Sequence, residues 1–148
     1  MKWMLRTRNS LSALILRLAL GAVMFPHGAQ KALGLFGGKG LKETVAGMSG
    51  AFGLSPTLVY LVIAGEFLGA IGLVLGFLGR LAALGILAVM AGAVYLAHYQ
   101  HGFFMNWYGN QQGEGFEYHI LAGAMALALV FLGSGALSVD RALTRDRP

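Results

Sequence analysis

Four apolar runs, near residues 11–31, 57–78, 81–101 and 117–137, dominate the chain. A helix needs roughly 20 residues to cross a hydrocarbon core about 30 Å thick, and each run reaches that length. Lipid offers a backbone no hydrogen-bond partners, so a spanning segment must satisfy itself as a helix or as part of a closed barrel. Runs of this length select helices. The 148 residues are 57% hydrophobic and 11% charged, whereas a soluble domain carries about 25% charged residues. Glycines recur inside the runs, as in GEFLGAIGLVLGFLG, where small residues let membrane helices approach closely; in water they would weaken the same helices. The expected fold is all-α: a polytopic membrane protein, one domain over 1–148, built as a four-transmembrane-helix bundle.

The connections sharpen that expectation. Ser55 and Pro56 suit the N-cap and first position of the second span. FLGRLA, residues 77–82, is too short to let spans two and three be anything but antiparallel neighbours. Between spans one and two, residues 41–52 are amphipathic and predict a short helix on the outer surface. Of the eleven Lys and Arg, seven (Lys2, Arg6, Arg8, Arg80, Arg141, Arg145, Arg147) fall on one side of the four spans, and the loop 102–116 has none. The positive-inside rule then places both termini in the cytoplasm, in a bacterial cytoplasmic (inner) membrane. The N-terminus has the layout of a secretory signal, but Arg17 interrupts its apolar core and no small-x-small cleavage site precedes Pro26. A retained first helix is expected. The tail DRALTRDRP reads as a solvated end.

A formal charge of +5 placed at span flanks makes the lipid bilayer, not nucleic acid, the partner. With no cysteine, disulfides, thiolate-held iron–sulfur clusters and thiol relays are excluded.

Charges inside the runs are costly and therefore informative. Counted from the outer ends of their spans, Arg17 lies about ten residues deep and Glu66 about nine, roughly 15 Å at 1.5 Å per residue. Equal depth predicts a buried Arg17–Glu66 ion pair, either structural or with Glu66 as proton acceptor or ligand group. All four histidines fall at the outer end: His27 with Lys31 closing span one, His98 and His101 closing span three, and His119 with Glu117 opening span four. His98 and His101, three apart, are expected on one helix face. Glu117 and His119 diverge by about 200° on a regular helix, which disfavours a shared metal site. A haem would take His98 as its axial ligand. A quinone would use His and Glu hydrogen bonds together with the aromatic wall of GFFMNWY, where Phe104 and Trp107 are candidates, although an interfacial aromatic belt accounts for the same residues. The expected catalytic residues are Glu66, His98 and Glu117; the expected ligand-binding residues are Arg17, His27, Lys31, His101, Phe104, Trp107 and His119. Pro26 is expected to kink or end span one.

The chain resembles the DoxX family of small bacterial membrane proteins. Arg17, Gly21, His27, Gly28 and Lys31 match one family pattern, Glu66, Gly69, Gly76 and Arg80 a second, and Gly102, Phe103, Phe104 and Glu117 a third. The resemblance implies a four-helix integral membrane protein, with relatives that are subunits of thiosulfate:quinone oxidoreductase or are linked to redox detoxification and quinone resistance. Three functions are then expected: a redox-associated subunit binding a quinone near the outer leaflet, a non-catalytic anchor for a soluble oxidoreductase, and a small transporter or channel. A redox-enzyme subunit and a second copy of the chain are the candidate protein partners.

Overall fold

The computed structural model describes residues 2–144, with side chains from residue 4 onward. Arg145 and Arg147, counted above as cytoplasmic flanks, lie outside the described residues, as does the side chain of Lys2. Within them every regular element is helical: α1 (Lys2–Leu5), α2 (Leu11–Leu33), α3 (Gly40–Phe52), α4 (Pro56–Leu75), α5 (Gly79–Ala93), α6 (Glu117–Leu132) and α7 (Val139–Thr144). A π-turn, Val94–His98, and a 3₁₀ turn, Tyr99–His101, prolong α5. Three helices are long and apolar enough to cross a membrane: Leu11–Leu33, Pro56–Leu75 and Gly79–His101. The fourth apolar helix, α6, has 16 residues, about 24 Å at the α-helical rise. It is shorter than the run 117–137 because Gly133 and Gly135, both with positive φ, turn the chain back, and the Ala136 amide bonds the Ser10 carbonyl.

Helix ends follow local chemistry. Ser10 and Ser55 cap α2 and α4, each hydroxyl accepting the amide of the third residue on, Ala13 and Leu58, with Pro56 in the first turn of α4. Left-handed glycines Gly34, Gly53 and Gly76 end α2, α3 and α4. Pro26 does not end the helix: α2 runs through it to Leu33.

α4 packs between α2 and α5, and α6 closes the ring between α5 and α2. The apolar core joins Ala13, Leu20 and Met24 of α2 to Ala70 and Leu73 of α4, Ile86 and Met90 of α5, and Ala126 and Leu129 of α6. α3 seats Val45 on Val59 and Ile63 of α4, covering one end of the ring. Outward faces are also apolar, with Ile15, Leu61, Leu68, Leu121 and Phe131 at least 60% exposed. Helices apolar on both sides are what a lipid surround requires. The α2–α4 crossing is close at Gly28, where a Cβ would lie 2.5 Å from the Phe67 Cα.

That crossing sets an antiparallel register that corrects the expected ion pair. Gly28 faces Phe67 and Gly21 faces Val74, so Arg17 lies near the end of α4 while Glu66 lies beside residues 28–31. The eleven residues between Gly28 and Arg17 separate the two by about 16 Å along the axis. Counting depth had placed them level because it took Arg17 to lie about ten residues from the outer end of its span, whereas α2 continues through Pro26 to Leu33, sixteen residues beyond Arg17.

Arg17 is instead held by carbonyls. Only 1% exposed, it donates from Nε to Ser134 (2.8 Å), from Nη1 to Leu73 and Val74 (2.9 and 2.6 Å), and from Nη2 to Ala136 and Leu137 (3.1 and 2.6 Å). Asp140, also 1% exposed, accepts the amides of Leu78 and Gly79 (2.8 and 3.0 Å) and the Ser134 hydroxyl (2.5 Å). The tail is thus not simply solvated: its first acidic residue is buried as the N-terminal anchor of α5. Leu78 and Leu137, two of the three non-glycine residues with positive φ among the described residues (50° and 48°), are held by this knot, which sustains their strained backbone.

Removing a buried guanidinium with five acceptors leaves those acceptors unpaired. Arg17→Ala is expected to destabilise the folded protein by roughly 3–5 kcal/mol, and Arg17→Lys to recover little, since an ammonium lacks the planar fork. Unfolding followed in detergent micelles checks this; a variant within about 1 kcal/mol of the parent would show that the knot is dispensable.

Candidate functional site

At the end of the ring opposite the Arg17 knot, the helices line a partly open cavity of about 570 Å³, inside the usual range for small-ligand sites. Its polar lining comes from four helices: His27 and Lys31 of α2, Glu66 of α4, His98 from the π-turn after α5, and Tyr118 and His119 of α6. The rest is apolar, with Met24, Met48, Phe52, Leu61, Val89 and Met90 among the walls.

Lys31 Nζ lies 2.8 Å from Glu66 Oε1 in hydrogen-bonding geometry. It is also 2.7 Å from Oε2, so the ammonium spans both carboxylate oxygens as a close ion pair. Glu66 is 3% exposed, and its charge is balanced where it lies. His119, 8% exposed, has a buried Nδ1 with no hydrogen-bond partner. Unsatisfied groups of this kind are rare and costly in folded proteins, and here one lines the cavity.

His98 reaches this place because the helix changes pitch. The π-turn inserts a residue and rotates the segment beyond it, and the His98 ring comes to lie 4.1 Å, centroid to centroid, from that of His119. Its Nδ1 stands 2.8 Å from the Glu114 carbonyl; a carbonyl only accepts, so Nδ1 donates and a neutral ring keeps Nε2 as an acceptor. Tyr118 packs its ring near His27 (6.3 Å), and its hydroxyl donates to Met24 Sδ at 3.4 Å.

Of the residues expected at a site, His27, Lys31, Glu66, His98 and His119 are brought together on this cavity. Arg17, Glu117, His101, Phe104 and Trp107 are not among its lining residues. Arg17 belongs to the opposite end. His101 does not share a face with His98, since the π and 3₁₀ turns break the helical spacing between them; it packs where Gly113 has no side chain. Glu117 points into the loop: its Oε1 accepts the Met105 amide (2.9 Å) and the Trp107 indole N–H (3.1 Å). Phe104 is exposed, edge-on to Phe103. The loop 102–116 is closed by backbone bonds from Phe116 to Gly102 and from Glu117 to Phe103, and by Glu114 Oε2 accepting the Asn106 amide at 2.7 Å. Glu117 and His119 therefore diverge as their spacing requires, one into the loop and one into the cavity. Among the described residues no group of three or more His, Cys, Asp or Glu is arranged to hold a metal ion.

Two contributors escaped sequence reasoning. Tyr118 sits between the two residues singled out in FEYHIL and was legible as a third, inward-facing member. Glu114 acts through its backbone carbonyl, for which a sequence carries no signal.

The helical ring, its apolar exterior and the polar cavity at one end define a small helical membrane protein with a ligand-sized site. The DoxX family model matches residues 12–99, and the chain belongs to that family. No curated protein and no solved structure matched the chain. The match takes in α2 through α5 together with Lys31, Glu66 and His98.

Glu117→Ala is expected to loosen the loop and leave the cavity intact. Amide exchange at Met105 should rise by about tenfold or more, as loss of a charge-assisted bond implies; unchanged exchange would mean that the loop does not depend on this carboxylate.

Proposed function

We propose that the protein is a redox-associated membrane subunit that binds a quinone, or a closely similar aromatic dicarbonyl, in this cavity. The observation that carries the proposal is the pairing of apolar walls with an unpartnered buried ring nitrogen, His119 Nδ1, beside the Lys31–Glu66 ion pair. A quinone ring fits such walls, and its two carbonyls need donors at separated points. Lys31 Nζ and His119 supply donors to carbonyl oxygens. The Glu66 carboxylate and His98 Nε2 supply acceptors for the hydroxyls of the reduced form. Glu66 and the histidines are also the groups able to give or take the protons that accompany quinone reduction. The chain has no cysteine, so electrons would arrive through a bound cofactor or a partner subunit.

We place the protein in a bacterial cytoplasmic membrane with α6 as a fourth, short span and both termini cytoplasmic. Arg6, Arg8, Arg80 and Arg141 cluster at the end with the Arg17 knot and support that orientation through the positive-inside rule. The cavity then faces the outer leaflet. The exposed aromatic residues Phe104, Trp107 and Tyr108 at that end fit an interfacial belt. Arg17 is assigned a structural role here, and Glu117 positions the loop.

Titrating the purified protein with a soluble quinone tests the proposal. Glu66→Gln and His119→Phe are each expected to weaken binding about tenfold or more, the equivalent of one hydrogen bond to a charged or buried group. Arg141→Gln, far from the cavity, should bind as the parent does. Equal affinity across all four proteins would contradict a quinone site here.

A further inference from the structure

The Arg17 knot, the Asp140 bonds, the Lys31–Glu66 pair and the loop bonds tie α2, α4, α5, α6 and α7 to one another. Among the described residues, no hydrogen bond or ion pair joins α3 to any other element. Its docking is apolar: Val45 is its one buried residue, seated on Val59 and Ile63. One turn on, Ser49 Oγ is buried without a partner, which works against the docked position. The helix is also weak in itself. Gly47 and Gly50 stand in its interior, where a Cβ on either would meet nothing within 4 Å, so no close contact requires them and they lower helix stability. Positive φ brackets it, at Gly34, Phe36, Gly37 and Gly40 where the chain enters and at Gly53 where it leaves. Yet Met48 and Phe52 of this loosely held helix line the polar cavity. Phe52, Leu58 and Leu61 line the cavity and are also exposed, so its opening lies beside the C-terminal end of α3.

We infer that α3 is a lid over the polar cavity, which swings on the turns at its two ends and sets the rate at which a ligand enters and leaves. The inference rests on the reading of that cavity as a ligand site and adds how the site is opened. Segments that open are drawn from the least stable part of a fold, where few apolar contacts and few bonds are lost. α3 gives up one buried valine and no polar bond. The turn before it stays behind as a fixed pivot: Gln30 Nε2 donates to the Phe36 carbonyl at 3.0 Å, and Gly38 packs so closely on Gln30 that a Cβ would overlap its backbone. Nor does lifting carry Val45 into water, since at a membrane boundary an amphipathic helix finds a second apolar surface for the same face. His27, Lys31, Glu66, His98 and His119 belong to elements tied independently of α3. The movement therefore changes access to the binding groups and leaves their arrangement as it is.

The chain has no cysteine, so introduced thiols report alone, and two experiments use the full chain in detergent micelles. In the first, Ala93→Cys places a thiol on the cavity wall, and its reaction with a fluorescein maleimide is timed with and without Val45→Asn, which undocks α3. The lid predicts labelling about tenfold or more faster with Val45→Asn, while amide protection of α2, α4, α5 and α6 is unchanged. An equal labelling rate would overturn it. Loss of protection throughout the bundle would make α3 a structural part of the fold and overturn it as well. In the second, Val45→Cys and Val59→Cys are closed as a disulfide. Binding and release of a tail-less dimethoxybenzoquinone are then followed by stopped flow in the oxidised protein, and in the same protein reduced and freed of reductant. The oxidised form is expected to bind and release about tenfold or more slowly at unchanged affinity; equal rates in the two forms would overturn the lid. A protein that binds no quinone in either form would contradict the quinone reading alone, and the labelling rates then decide the lid.

Discussion

A guanidinium buried among apolar helices must be surrounded by acceptors, and the way Arg17 finds them fixes much of this molecule. Its five bonds run to the end of α4 and to the turn after α6. One side chain thereby ties the rotation of α2 to the ends of two other helices. Asp140 anchors α5 from the same turn through the Leu78 and Gly79 amides. A helix held in rotation at one end is held at the other. Lys31 comes fourteen residues after Arg17, about four helical turns, so it emerges on the same inward side and meets Glu66 across the α2–α4 crossing.

The two ends of the ring treat polar groups in opposite ways. At the Arg17 end donors and acceptors match, and the result is a rigid, closed knot. At the histidine end Lys31 neutralises Glu66, and His119 keeps Nδ1 without a partner on the cavity wall. A buried polar atom without a partner is normally eliminated because it costs on the order of 1–3 kcal/mol. Its retention on the cavity wall is the physical ground for assigning a ligand to that end and a structural role to the other. The π-turn at Val94–His98 belongs to the same end, and it closes on His98, whose ring lies against that of His119.

Much of the fold was legible in the chain because it rests on local rules. Apolar run length located α2, α4 and α5, Ser55 and Pro56 marked the start of α4, and amphipathic spacing placed α3. Side-chain chemistry also singled out Lys31, Glu66, His27, His98 and His119, which the fold gathers on one cavity. What could not be read was register. Depth counting paired Arg17 with Glu66, whereas the Gly28–Phe67 contact sets them about three turns apart. The end of α6 was misplaced because Gly133 and Gly135 lie in an apolar run that hydropathy alone continues through. Asp140 looked like part of a charged tail, and only the return of the chain after α6 buries it. Glu117 and His101 were drawn into the site by proximity in sequence, while capping of the loop and the change of helical pitch direct them elsewhere.

The central claim is that the histidine end holds one redox-active aromatic ligand per chain. Native mass spectrometry of the protein released gently from its own membrane tests this most directly. The account predicts a single adduct whose mass matches a quinone and which is lost on solvent extraction. A chain that carries only phospholipid, or no adduct at all, would contradict it.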